Sequence, residues 1–125
     1  MSKRLSRPVV AVADAAGIMG IRAGAKSDHR FVGVWPIVVD GRLFARSWTQ
    51  SRGGWYKTFL DDRLGVIQVG DRQLRVRAIP VKSERLRDKI DAAYREKYHT
   101  KASQKYVRGL RSPRRRETTT EFVPR

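Results

Sequence analysis

HRFVGVWPIVVDGRLFARSW, residues 29–48, is the stretch that decides the fold. Its two flanking runs, residues 31–39 and 43–48, are rich in β-branched and aromatic side chains, which favour strands. Asp40-Gly41 separates the runs and is typical of a type I′ turn, because both central residues of that turn need positive φ. The stretch therefore predicts a β-hairpin. Since Pro36 has no N–H, we expect it at an edge or a bulge.

A second hairpin is predicted further along the chain. Residues 65–69 and 73–81 flank a turn at Gly70-Asp71, and Gln68 and Gln73 should face each other across it. Within RQLRVRAIPV, apolar residues alternate with arginines, which indicates a strand with one buried face and one wet face. Between the hairpins, Trp55, Phe59 and Leu60 lie at helical spacing and predict a short helix over residues 54–60.

The strongest helix signal is SERLRDKIDAAYREKYH, residues 83–99, in which Ser83 is a suitable N-cap. Residues 1–17 predict a short helical lead-in before a strand over residues 18–22, and TTTEFV, residues 118–123, predicts a last strand. Residues 100–117 are polar and basic, so we expect an ordered loop or a helical turn there rather than a hydrophobic element. The apolar stripe of the long helix comprises Leu86, Ile90, Ala93, Tyr94 and Tyr98.

These elements add up to one domain spanning residues 1–125, a length that suits a single hydrophobic core. The fold class is mainly β with helices (α+β). A mostly antiparallel sheet of five or six strands with one wet and one dry face is expected to close into a small split β-barrel.

Composition excludes several kinds of chemistry. The chain has no cysteine and only two histidines, so disulfides, thiolate zinc sites and iron–sulfur clusters are excluded and a metal centre is not supported. Its net charge of +16 attracts polyanions or small anionic ligands. The first twenty residues have the outline of a signal peptide, but the apolar run is short and Asp14 interrupts it. With no run long enough to span a membrane, we expect a cytoplasmic protein.

The segment RSWTQSRGGWYKTFLDD, residues 46–62, is the candidate ligand site. A glycine pair can bring backbone N–H groups close to a phosphate, cations can neutralise it, and aromatic rings can stack on a flat ligand. Loop glycines, chance clustering of cations and core aromatics are the alternatives. Trp48 is the better ring-stacking candidate, whereas Trp55 and Trp35 are expected to pack in the core. The candidates are Arg46, Trp48, Arg52, Gly53, Gly54, Trp55 and Lys57.

Two other features of the sequence are candidates for function. His29 lies between two charged residues at the start of a strand and could act in proton transfer, although a lone histidine there is more often a plain hydrogen-bonding group. The densest positive cluster could bind nucleic acid or an acidic partner, or form a solvated tail. That cluster comprises Arg108, Arg111, Arg114, Arg115 and Arg116.

The order of these motifs resembles an uncharacterised bacterial family, from about residue 18 onward. That family is similar to the deazaflavin-dependent nitroreductases and to flavin-binding split barrels such as the pyridoxamine-phosphate oxidases. The nitroreductase likeness rests on WYKTFLDD and VIQVGDRQLRVRA. The resemblance implies a homodimeric split barrel that binds FMN or a deazaflavin and acts as a reductase. It also implies that the segment after the second hairpin strand, with Arg46 and Ser47 at its start, binds the cofactor phosphate.

The sequence departs from the nitroreductases at two motifs. Their HPxWY is replaced by RGGWY and their NL by TF, which puts the identity of the cofactor in question. The alternatives are a non-enzymatic binding module for nucleic acid or a protein partner, and a barrel without a cofactor that serves only to dimerise.

Overall fold

The computed structural model describes residues 4–125, which form seven strands, five α-helices and one 3-10 turn. In chain order, the elements are α1 (Arg7–Ala15), β1 (Met19–Ala23), β2 (Val32–Val34), β3 (Ile37–Val39), β4 (Arg42–Ala45), α2 (Trp55–Asp61), β5 (Leu64–Val69), β6 (Arg72–Pro80), α3 (Glu84–Lys97), the 3-10 turn (Lys101–Ser103), α4 (Gln104–Leu110), α5 (Pro113–Arg116) and β7 (Thr120–Pro124).

The seven strands form one antiparallel sheet in the order β2-β1-β5-β6-β7-β4-β3. Its two edge strands, β2 and β3, are separated in sequence only by Trp35 and Pro36. Val34 and Ile37 therefore lie at most about 11 Å apart, whereas the edges of a flat seven-stranded sheet would be about 29 Å apart. The sheet must curl to bring its edges together, and it forms a half-barrel. This confirms the predicted α+β class with a curled antiparallel sheet.

Both predicted hairpins are confirmed. Asp40 and Gly41 have φ of 55° and 73°, as a type I′ turn requires, and Gln68 pairs with Gln73 at the second turn. The predicted strand over residues 31–39 is instead two short strands, because Pro36 lies in the break and cannot donate to a ladder. That break raises the strand count from the expected five or six to seven.

The curled sheet has a core on each side. Inside the curl, the inward residues of the strands pack against α1 and α2, with Ile21, Ile67 and Phe122 almost fully buried. On the outside, α3 and α4 cover β3 and β4, where the second core includes Ile37, Phe44, Val81, Ile90, Tyr94, Val107 and Leu110. The strand β7 lies between β6 and β4 and contributes Phe122 to the inner core.

The long helix α3 has the N-cap and the apolar face that its sequence predicts. The Ser83 side chain accepts a hydrogen bond from the Leu86 N–H, and all five residues of the predicted apolar stripe belong to or pack against the outer core. The helix has 14 residues. Among residues 4–125, no helix combines the length and the apolar character that crossing a membrane requires.

Residues 100–117 differ from the expectation. They form the 3-10 turn, α4 and α5, and they contribute Val107 and Leu110 to the outer core. The apolar pair is spaced by three residues, which places both side chains on one face of a short helix. Because many cations surround this pair, the sequence pattern did not indicate that it packs in the core.

Candidate functional site

A cavity of 530 Å³ lies at the junction of β2, the end of β4, the start of α2 and α4. It is lined mainly by apolar and aromatic side chains. The residues are Val32, Gly33, Val34, Trp35, Arg46, Ser47, Trp48, Thr49, Gly53, Gly54, Trp55, Tyr106 and Leu110. The cavity therefore brings together six of the eight predicted site residues, without Arg52 and Lys57.

Aromatic rings in mutual contact form much of the cavity wall. Trp35 stacks on Tyr98 with ring centroids 4.2 Å apart and an interplanar angle of 8°. Tyr106 makes edge contacts with Trp35 at 6.0 Å and with Trp48 at 5.9 Å. Trp55, at the start of α2, is 8 % exposed and packs on Phe59 of the inner core. These contacts fix the rings, so the cavity has a defined shape before any ligand binds.

Trp48 is held from two sides. The Arg115 guanidinium lies 3.7 Å from the centroid of the indole ring, and the Arg115 Nε–H donates to the Trp48 carbonyl at 2.8 Å. The ring edge lies against Gly109, where a Cβ would come within 2.6 Å of Trp48 Cζ3. Trp48 stays 47 % exposed. The Trp48 ring is therefore held in place and still accessible, which a residue that stacks on a ligand must be.

The Arg46 side chain makes its hydrogen bonds inside the protein. Its side chain is fully buried, and four of its five N–H donors bond to Asp91 (2.5 Å), Thr119 (2.9 Å) and the carbonyls of Leu110 and Arg87 (both 3.0 Å). Burial lowers the pKa of Arg46, and the bond to Asp91 offsets part of that effect. Arg46 therefore ties β4 to α3 and α4, and its guanidinium is not an accessible anion-binding group.

The glycine pair and its neighbouring cations also differ from a ready phosphate site. The Gly54 N–H donates to the Ser51 carbonyl at 3.1 Å, so the turn itself uses this donor. Gly53 has φ of 86°, which explains why glycine stands at this turn. Arg52 is exposed and Lys57 is half-buried on α2. For these residues, and for Ser47, which bonds to Thr49 and Thr118, cofactor binding stays a prediction.

Tyr94 is a buried hydrogen-bonding centre beneath the cavity. Its hydroxyl accepts from the Arg46 N–H at 3.1 Å and donates to the Trp35 carbonyl at 2.9 Å. Burial raises the pKa of Tyr94 well above its usual range, so the hydroxyl stays neutral. One side chain of α3 thereby fixes the backbone of two segments that line the cavity.

Tyr94→Phe should destabilise the protein by about 2 kcal/mol, because the buried Arg46 N–H and Trp35 carbonyl would lose their partner. Urea denaturation measures the change. The control is Tyr56→Phe, whose hydroxyl bonds to the Glu117 carbonyl at an exposed position and should cost under about 1 kcal/mol. Equal losses in the two variants would contradict the assignment of Tyr94.

The predicted arginine cluster does not act as one unit. Arg116 bonds to Glu84, Asp88 and Asp91, and so neutralises the acidic face of α3. Arg115 covers Trp48, and Arg111 is half-buried. Only Arg108 and Arg114 of the five are exposed.

The sequence interpretation missed two ring residues of the cavity. Trp35, which is expected in the core because it lies beside Pro36, lines the cavity, and so does Tyr106 from the basic segment. The apolar spacing of Val107 and Leu110 could have indicated that residues 104–110 are helical, and an exposed tyrosine on such a helix is a candidate binding residue.

The cavity supplies shape and aromatic surface rather than proton-transfer groups. Its lining contains no carboxylate and no histidine. His29 is exposed and lines an adjoining, more polar depression with Lys26 and Arg30, which shares Val32, Gly53 and Trp55 with the cavity. In the described part of the chain, no three histidine or carboxylate side chains converge as a metal site would need.

A half-barrel with an aromatic cavity at its edge defines the class of this protein, a small curled-sheet α+β domain. Residues 10–122 match the family described as uncharacterized proteins conserved in bacteria, DUF2255, and the chain belongs to that family. The search among curated proteins gave no match. The broader resemblance to an uncharacterised bacterial family is thereby confirmed, and nothing found supports the narrower link to the deazaflavin-dependent nitroreductases.

Proposed function

We propose that the aromatic cavity binds a flat heteroaromatic ligand of the flavin type, FMN or a deazaflavin. The observation that carries the proposal is the cavity itself, whose 530 Å³ and aromatic walls suit one small planar ligand. Trp35, Trp48, Trp55 and Tyr106 offer ring faces and edges for such a ligand.

The lining residues fit this kind of ligand in three respects. The tryptophans would shield a ring system from water, Arg115 places a positive charge over one face of Trp48, and Thr49 offers a hydroxyl. When bound, the flavin ring would supply the redox chemistry that these side chains lack, in keeping with a reductase. The protein would bind and orient the ring and exclude water.

Gly109→Ala should weaken FMN binding at least tenfold, because the added Cβ would lie 2.6 Å from Trp48 Cζ3 and push the ring from its place. Trp48→Ala should have a similar effect by removing the wall. Titration of FMN, riboflavin and a deazaflavin, followed by tryptophan fluorescence and visible absorbance, measures both losses.

Gly17→Ala is the matched control, since no atom lies within 4 Å of a Cβ at that exposed glycine. This variant should bind like the unaltered protein. The absence of binding of FMN and of deazaflavin at concentrations up to about 1 mM would overturn the proposed function.

A further inference from the structure

One segment of the chain carries positive charge without any acidic residue. No aspartate or glutamate occurs between Glu96 and Glu117. The eight cations in this interval are Lys97, Lys101, Lys105, Arg108, Arg111, Arg114, Arg115 and Arg116. These charges cannot be neutralised within the segment itself. The positive potential at its surface therefore depends on which of the cations bond to other parts of the protein.

Three of these cations make contacts within the protein. Lys97 donates to the carbonyls of Ala13 and Pro36, and Arg115 and Arg116 make the contacts described above. Lys101, Lys105, Arg108 and Arg114 remain exposed, and no carboxylate among residues 4–125 pairs with them.

Three of the exposed cations, Lys101, Lys105 and Arg108, share one side of the 3-10 turn and α4, because their spacing is four and then three residues. They line a shallow, open depression of 740 Å³ together with Ala102, Gln104 and Tyr106. We name this surface, Lys101, Lys105, Tyr106 and Arg108, the α4 strip.

Tyr106 gives the α4 strip an aromatic surface among its charges. It is 44 % exposed, and the Lys105 Nζ lies 5.1 Å from its ring centroid. Aromatic rings among cations are how proteins hold unpaired bases, since the ring stacks on a base while the cations contact the phosphates. A duplex keeps its bases stacked inside and offers nothing to such a ring.

We propose that the α4 strip binds single-stranded nucleic acid, with phosphates on Lys101, Lys105 and Arg108 and one base on Tyr106. Tyr106 lines both the cavity and the α4 strip, whereas the three cations line only the strip, so replacing the cations separates this function from the ligand proposed for the cavity.

The test is fluorescence anisotropy with a labelled single strand of about 16 nucleotides, as DNA and as RNA, from about 50 to about 200 mM salt. Replacement of Lys101, Lys105 and Arg108 by Gln should weaken binding at least tenfold at the lowest salt. It should also reduce the slope of log K against log salt by about 2, since each lost phosphate contact removes about 0.7. Tyr106→Ala should weaken binding about tenfold and leave the slope unchanged.

The matched control replaces Arg72, Arg75 and Arg77, all exposed on β6, by Gln, so that the net charge of the two triple variants is equal. It should keep the original slope. An equal loss in both triple variants would overturn the proposal, because binding would then follow total charge. So would equal affinity for a duplex, or no binding at about 50 mM salt. FMN affinity, measured on the two triple variants, reports on the cavity alone, because none of the six replaced residues lines it.

Discussion

Asp91→Asn should destabilise the protein by about 3 to 5 kcal/mol, the largest loss expected from a change that keeps side-chain shape. Asp91 is the only carboxylate bonded to the buried Arg46 within residues 4–125, and its second oxygen bonds to Arg116 at 2.5 Å. Asparagine would keep the size of the side chain and remove its charge. The Arg46 guanidinium, with no exposed side-chain surface, would then be buried without a counter-charge.

Urea denaturation measures this loss, provided that the dependence of the unfolding free energy on urea concentration is the same in both proteins. Asp88→Asn is the matched control. Asp88 also bonds to Arg116, at 3.1 Å, but its side chain is 72 % exposed, so its loss should cost at most about 1 kcal/mol. If the two variants were equally stable, Arg46 would not depend on Asp91 for its charge balance. Because a domain of this kind is stable by about 5 to 15 kcal/mol, the difference should be readily measured.

The same arginine shows where sequence reasoning reached its limit. Its position at the end of a strand was predicted, but its partner Asp91 lies 45 residues further along the chain. In a chain with 28 cations and 12 acids, no spacing rule selects that pair. Burial and long-range packing decide whether an arginine meets a ligand or a carboxylate, and neither can be read locally.

The parts of the fold that local chemistry determines were predictable. The Asp40-Gly41 turn and the Ser83 cap depend on neighbouring residues, and both are present as expected. Strand order was not predictable, because β7 enters between β6 and β4 through contacts distant in sequence. Pro36 indicated a local irregularity in residues 31–39, but not that β2 and β3 would lie at opposite edges of a curled sheet.

The candidate site was predicted only in part, because some of its residues are close together in the sequence and others are not. Trp48 and Trp55 both belong to one segment rich in aromatic residues, so composition pointed to them. Trp35 and Tyr106 reach the cavity from other segments, and only the packing of α4 beside β2 and β4 places them there. A site assembled from three segments reveals in sequence only the part that is locally dense.

Gly65→Ala should destabilise the protein by about 3 kcal/mol, although it adds one methyl group. Gly65 is buried on the inner face of β5. A Cβ there would lie 2.6 Å from the Arg22 carbonyl oxygen and 2.7 Å from Phe59 Cε1. The carbonyl belongs to the neighbouring strand, and the Phe59 ring is 2 % exposed, so neither can move without disturbing the sheet or α2.

The control for this variant is again Gly17→Ala, whose added methyl group meets no atom within 4 Å and should change stability by less than about 1 kcal/mol. A second measurement, near-ultraviolet circular dichroism, should change for Gly65→Ala alone. Phe59 contacts Trp55 at a ring-centroid distance of 6.0 Å, so a displaced Phe59 also displaces that wall of the cavity. Equal stability of the two alanine variants would show that α2 does not pack against β5 as closely as described. Loss of stability with an unchanged spectrum would place the strain in the strands and leave the cavity wall intact.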